Sequence, residues 1–211
     1  MELLIVVFII LLVLSIGGNT YRNQRKHVIY NDSVAHVSDL IKTARNYALT
    51  SRSVYDTCQP EGQEVYVPAE GYGVYFIQVD SSGLSRAVLF ANTKTSPGSA
   101  INQYDETGDS CASDIIEEDY YLPDETRFTG LSIDRAQPHT KIGGALAAQN
   151  QVVIIFRPPL ADPVIVVNDH ASLNSLTYLN DLYLQFLRPG SSTYHYIHFN
   201  RIAGFPEIQK R

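Results

Sequence analysis

The chain has 211 residues, of which 45% are hydrophobic and 18% charged, as is ordinary for a globular protein. Its net charge of -6 is uneven, because residues 1–53 carry six Lys or Arg against three Asp or Glu, whereas residues 54–211 carry ten against nineteen. A globular part with a net charge of -9 is a poor electrostatic partner for nucleic acid or anionic lipid. Two cysteines are too few for a disulfide-rich scaffold.

The first predicted element is an apolar helix in MELLIVVFIILLVLSIGG, where residues 3–16 after Glu2 are all apolar except Ser15. Fourteen helical residues span about 21 Å, which is short of the ~30 Å hydrocarbon core of a membrane. A signal peptide has an apolar region of this length but begins with Lys or Arg, and here the carboxylate of Glu2 precedes the run. The basic residues Arg22, Arg25 and Lys26 follow it. Taken alone, they favour a cytoplasmic C-terminal part, so the orientation in a membrane stays open.

The helical pattern continues beyond these basic residues into an amphipathic stretch. Apolar residues recur at spacings of three and four on one face, with polar residues on the others. The stripe consists of Val34, Val37, Ile41, Ala44 and Ala48. No Pro occurs before Pro60, so one helix is predicted from about Glu2 to about Ser53.

Beyond Ser53 the sequence predicts short strands separated by turn residues. The candidate strands are EVYVP, YGVYFIQV, RAVLFA, RFTGLSI, QVVIIFRPP, DPVIVVN, YLQFLRP and TYHYIHFN. The polar, acidic stretch at 92–126 is predicted to be an extended loop or excursion. The organisation is therefore one long helix followed by one antiparallel β domain, with no further domain boundary.

An acidic residue that opens a run such as ELLIVVFIILLVL, continuous with an amphipathic helix and followed by a β-rich domain, resembles the type IV pilins and pseudopilins. Later pieces resemble the minor pseudopilins of type II secretion and minor type IV pilins. They are ARNYALTSR at 44–52, GYGVYF at 71–76, VLFANTK at 88–94, VVIIFRPP at 152–159 and FNRIAGFPEIQ at 199–209. The start of the chain matches the end of a mature pilin start, F-T-L-M-E-L-L. The resemblance therefore implies that the native protein begins upstream and is cut three residues before Met1.

The resemblance implies an α+β fold, in which a long N-terminal helix packs on one antiparallel β-sheet domain. The first part of the helix would insert into the membrane and its second part would be amphipathic. The implied divisions are a transmembrane or fibre-core helix at 1–27, an amphipathic helix at 28–53 and a β-rich head at 54–211. The implied function is a non-enzymatic filament subunit that assembles with other pilin or pseudopilin subunits through its N-terminal helix. Its place would be the inner membrane, single-pass, with an extracytoplasmic head, or a cell-surface or periplasmic filament.

The residue singled out for assembly is Glu2, whose carboxylate would pair with the amino-terminal charge of a mature subunit in a bundle of helices. If the domain is extracytoplasmic, a disulfide between Cys58 and Cys111 is favoured over two free thiols. The alternative functions are a membrane-anchored extracytoplasmic binding module and, more weakly, an anchored hydrolase.

Signatures of catalysis and of metal binding are absent from the sequence. It contains no GxSxG, P-loop, HExxH or GxGxxG pattern, so no catalytic residue, cofactor or metal ligand is predicted. His195 and His198 are three apart on a predicted strand and therefore point to opposite faces. The acidic residues at 105, 106 and 109 do not fit calcium-loop spacing and are interpreted as a solvated loop. The net negative charge of the domain disfavours binding of DNA through C-terminal basic residues.

Overall fold

A computed structural model of the chain describes residues 2–55, 66–78, 85–92, 115–132, 151–167, 181–191, 194–200 and 205–210. The one helix in this part of the chain, α1, runs from Glu2 to Leu49. It ends four residues before the predicted Ser53, in a turn where Arg52 N donates to Tyr47 O and Ser51 N donates to Ala48 O, each at 3.1 Å. Ser51 takes the left-handed conformation, with φ of 46°, that closes helices in this way.

The described strands form three antiparallel sheets. The strands are β1 (Ser53–Tyr55), β2 (Tyr66–Pro68), β3 (Gly71–Gln78), β4 (Ser85–Asn92), β5 (Ile115–Tyr121), β6 (Arg127–Ser132), β7 (Gln151–Arg157), β8 (Asp162–Val167), β9 (Asp181–Leu187), β10 (Tyr194–Asn200) and β11 (Pro206–Lys210). The five-stranded sheet has the order β5-β4-β3-β7-β8 and the four-stranded sheet the order β11-β10-β9-β6, while β1 pairs with β2.

The second half of α1 lies across both of the larger sheets. It contacts β3, β4 and β7 of the five-stranded sheet and β10 and β11 of the four-stranded sheet. All five residues of the predicted apolar stripe are at most 1% exposed, so the stripe is confirmed as the face that packs on the head. Below the helix, phenylalanine pairs join the sheets, with ring centroids 5.6 Å apart for Phe76 and Phe128 and 5.9 Å apart for Phe156 and Phe199.

The three central strands of the five-stranded sheet, β4, β3 and β7, are buried on both faces. Val74 and Ile154 belong to the core beneath α1, whereas Phe90 and Ile155 belong to a second apolar cluster. Antiparallel strands more often alternate apolar and polar residues, because one face meets water. Burial on both faces explains why AVLFA and VVIIF are apolar at every position.

The predicted fold class is wrong. The head contains two larger sheets and a two-stranded ribbon rather than one sheet, and strands dominate the described part of the chain after Leu49. The predicted first part of the helix was to insert into the membrane, and no helix among the described residues is long and apolar enough to cross one. The error about the sheets arose because strand runs and turn residues predict where strands lie but carry no signal for which strands pair.

The prediction of a loop throughout 92–126 is also wrong, because β5 lies within it. Acidic runs usually mark solvated loops. Here each of three carboxylates faces a cation or a histidine: Glu117 with Arg52 at 3.2 Å, Glu118 with His36 at 2.8 Å, and Asp119 with Arg86 at 2.6 Å. These contacts allow an acidic strand to pair with β4 at the edge of the sheet.

Candidate assembly surface

The most unusual surface of the molecule is the apolar segment, which we define as residues 4–12 of α1. All nine side chains are large and apolar, and each is between 46% and 73% exposed. The exposure covers every side of the helix, since no residue of the segment is buried. Scattered apolar residues on a surface need no explanation, but nine in succession form an exposed patch of the kind found at protein–protein or membrane interaction sites.

The segment belongs to the half of α1 that projects from the head. Among the described side chains of the helix, those before residue 29 are all exposed and Tyr30 is the first that is buried. At 1.5 Å per residue, the projecting half is on the order of 40 Å long. A helix that is apolar all round is stable in water only when other elements surround it.

Tyr30 fixes the helix at the point where it enters the head. Its ring is 1% exposed, and its hydroxyl donates to Phe186 O at 2.8 Å and accepts from His195 N–H at 3.0 Å. The hydroxyl therefore connects α1 to β9 and β10 together. Burial raises the pKa of the Tyr30 hydroxyl to about 12, because the charged form would lose its hydration.

A second tyrosine fixes the other end of the helix. The hydroxyl of Tyr72 in β3 donates to Arg52 O at 2.5 Å, just beyond the end of α1. Its ring meets Tyr47 edge-on at 5.4 Å, and Arg52 lies over the ring of Tyr47 at 4.2 Å. Burial likewise raises the pKa of Tyr72 to about 12. Anchoring at both ends holds the second half of α1 on the head while the first half projects.

The predicted site residues fall in different places. Glu2 is the first residue of α1, next to the apolar segment, and the role of its carboxylate stays a prediction. Cys58, Cys111 and the acidic residues at 105–109 lie outside the described residues. His195 is 2% exposed and packs against Tyr30, whereas His198 stacks on Tyr183 at 4.7 Å on the other face of the sheet. The prediction that these histidines occupy opposite faces is confirmed.

Sequence reasoning did not find the two tyrosine anchors or a groove beside the helix. The groove has a volume of about 720 Å³ and lies between α1 and Arg188, which follows β9. No local pattern distinguishes Tyr30 or Tyr72 from the other twelve tyrosines of the chain, because their partners are 20 or more residues away.

Comparison of the chain with protein-family models, with curated proteins and with solved structures gives no match. The functional interpretation therefore rests on the residues and geometry of this chain.

Proposed function

We propose that this protein is a non-enzymatic filament subunit of the pilin and pseudopilin kind, which assembles by burying its apolar segment among the helices of neighbouring subunits. The observation that carries the proposal is the exposure of all nine side chains at residues 4–12, on a helix whose second half is fixed to a folded head. The resemblance of the N-terminal sequence to pilins supports the same function.

The energy available from this burial is comparable with the free energy of unfolding of a typical domain, about 5–15 kcal/mol. Burying a Val, Leu, Ile or Phe side chain completely contributes about 1.5–3 kcal/mol. For nine side chains that are roughly half to three-quarters exposed, complete burial would contribute on the order of 10 kcal/mol. Part of this offsets the translational and rotational freedom that is lost when subunits associate.

A charge placed within the segment tests the proposal. Ile9 lies near its centre and is 54% exposed, so Ile9→Asp leaves the core of the head untouched. A carboxylate among apolar helices costs about 2.5–3.5 kcal/mol on membrane-insertion scales, which corresponds to a loss of assembly on the order of 100-fold. The assay is the amount of the full chain recovered in sheared or sedimented filaments at equal expression.

Leu160→Asp is the matched control. It makes the same change of charge at a side chain that is 82% exposed on the turn between β7 and β8 of the head, outside the apolar segment. We expect it to assemble like the wild type. Normal assembly of Ile9→Asp would contradict the proposal and favour a binding module that uses the helix only as a tether.

The location that accompanies this function is an inner-membrane pool with an extracytoplasmic head, which supplies cell-surface or periplasmic filaments. Assembly depends on packing between helices in the filament and is tested separately from this location. Protease added to spheroplasts should digest the head of the unassembled subunit. Protection of the head until the cells are lysed would contradict this location.

A further inference from the structure

A positively charged surface lies on α1 between the apolar segment and the head. Over residues 20–31, TYRNQRKHVIYN, the helix carries Arg22, Arg25 and Lys26 and no acidic residue. These three residues, which we call the basic collar, are exposed. In the part of the chain that the structure describes, no ion pair involves any of them. Their charge is therefore available to another molecule.

The groove of about 720 Å³ beside Arg188 lies on the other side of α1 from the basic collar. Its lining residues on the helix recur at spacings of three and four and so share one face: Thr20, Asn23, Gln24, His27, Val28 and Asn31. At about 100° per residue, the three residues of the basic collar fall on the opposite face. The collar is therefore a surface separate from this groove.

A matching acidic feature is the turn between β5 and β6, where Asp124 and Glu125 are adjacent. The turn is firmly held, because Thr126 N donates to Pro123 O at 2.8 Å and both Leu122 and Thr126 are 1% exposed. Unlike the three carboxylates of β5, neither Asp124 nor Glu125 forms an ion pair among the described residues. Two neighbouring carboxylates therefore project from a fixed turn without a cation.

The turn lies at the end of the head where the helix enters. Arg127, just after the turn, pairs with Leu187 of β9. The residue beside Leu187 is Phe186, whose carbonyl accepts a hydrogen bond from the hydroxyl of Tyr30. The basic collar precedes Tyr30 by four to eight residues, which is about 6–12 Å along the helix. A second copy shifted by that distance along α1 would therefore have its turn level with the collar of the first. Repeating one such shift joins different surfaces and produces an open filament.

We infer that the basic collar binds the Asp124–Glu125 turn of a second copy of this chain. The opposite net charges of residues 1–53 and 54–211, +3 and -9, favour such a contact. The inference rests on the proposed function, because packing of the apolar segments is what places two copies side by side.

Zero-length carbodiimide cross-linking of the full chain tests the inference, since this reagent joins an amine to a carboxylate only where the two are in contact. Copies with ordinary nitrogen and copies labelled with ¹⁵N are mixed in detergent and allowed to associate as the detergent is removed. Mass spectrometry then identifies the joined peptides. We expect mixed-label products that link Lys26 to Asp124 or Glu125. Lys42, which lies 2.7 Å from Asp39 of its own chain, is the internal control and should give products of a single label.

Variants sharpen the test. The double variant Asp124→Asn, Glu125→Gln should lower the yield of mixed-label Lys26 products at least fivefold. The control Glu70→Gln removes a carboxylate just before β3, outside the turn, and should leave the yield unchanged. Assemblies that form without a mixed-label Lys26 product would overturn the docking inference and leave the filament function intact. Failure of the full chain to assemble would overturn both. Loss of the product on adding phosphatidylglycerol vesicles would also overturn the inference, because the collar would then prefer phosphates.

Discussion

Replacing Tyr30 with Phe should weaken the connection between α1 and the head. The substitution keeps the buried ring but removes a hydroxyl that bonds to Phe186 O at 2.8 Å and to His195 N–H at 3.0 Å. A buried polar group left without its partner costs about 1–3 kcal/mol. Two backbone groups in adjacent strands are affected, so we expect the free energy of unfolding to fall by about 2–4 kcal/mol.

The same hydroxyl should make stability depend on alkaline pH. Its pKa is raised from 10.0 to about 12 in the folded protein, so the folded state keeps a proton that the unfolded state loses. The stabilisation is complete below pH 10, decreases as the pH rises from about 10 to about 12, and amounts to at most about 3 kcal/mol. Tyr30→Phe lacks this group and should lose less stability over that range, although Tyr72, also raised to about 12, still contributes.

The assay is urea unfolding of the full chain in detergent, followed by circular dichroism at pH 7, 9 and 11. Tyr21→Phe is the control, because Tyr21 lies on the same helix but is 67% exposed. A change below about 0.5 kcal/mol in Tyr30→Phe at pH 7 is typical of surface substitutions and would refute the assignment of Tyr30 as an anchor.

Three further predictions concern the backbone and Glu2. Ser51→Gly should raise the free energy of unfolding by about 0.5–1 kcal/mol, because glycine adopts the φ of 46° at the end of α1 without strain. Urea titration measures this gain, and the absence of a gain would contradict the closed turn. Gly73→Ala should lower the free energy of unfolding by about 1–3 kcal/mol, since a Cβ there would lie 2.7 Å from Phe90 Cζ and 2.9 Å from Ile154 O. In the control Gly18→Ala, the added Cβ meets nothing within 4 Å and should leave the free energy of unfolding unchanged or slightly raised. Equal effects of the two substitutions in thermal unfolding would contradict the close packing around Gly73. Glu2→Gln should fold normally yet enter sheared filaments poorly at matched expression, and unchanged incorporation would show that its charge has no docking role.

Local pattern was sufficient to predict the helix face and most strands. The spacing of Val34, Val37, Ile41, Ala44 and Ala48 identified the buried stripe, because helical periodicity depends only on neighbours along the chain. The runs YGVYFIQV, RAVLFA and QVVIIFRPP correspond to β3, β4 and β7. Their unbroken apolar character reflects the burial of these three strands on both faces.

Long-range pairing could not be predicted in this way. The division into two larger sheets depends on β6 pairing with β9 rather than with its neighbour β5, and no residue of β6 indicates that choice. The strand β5 was missed because its acidic composition is typical of a loop, while the groups that pair with it, such as His36, are up to 82 residues away. The basic collar was visible in the sequence, but the groove on the opposite face of α1 depends on Arg188 being brought to the helix by the fold.

The central claim is that the apolar segment contacts the same segment of neighbouring subunits. A photo-reactive phenylalanine analogue at position 8, where Phe8 is 64% exposed, tests it within assembled filaments, and the same analogue at position 66, where Tyr66 is also 64% exposed, is the control. We predict that irradiation joins position 8 to residues 4–12 of another subunit, and that position 66 gives no such product. Adducts of position 8 only with phospholipid or with the head of another subunit would contradict the account.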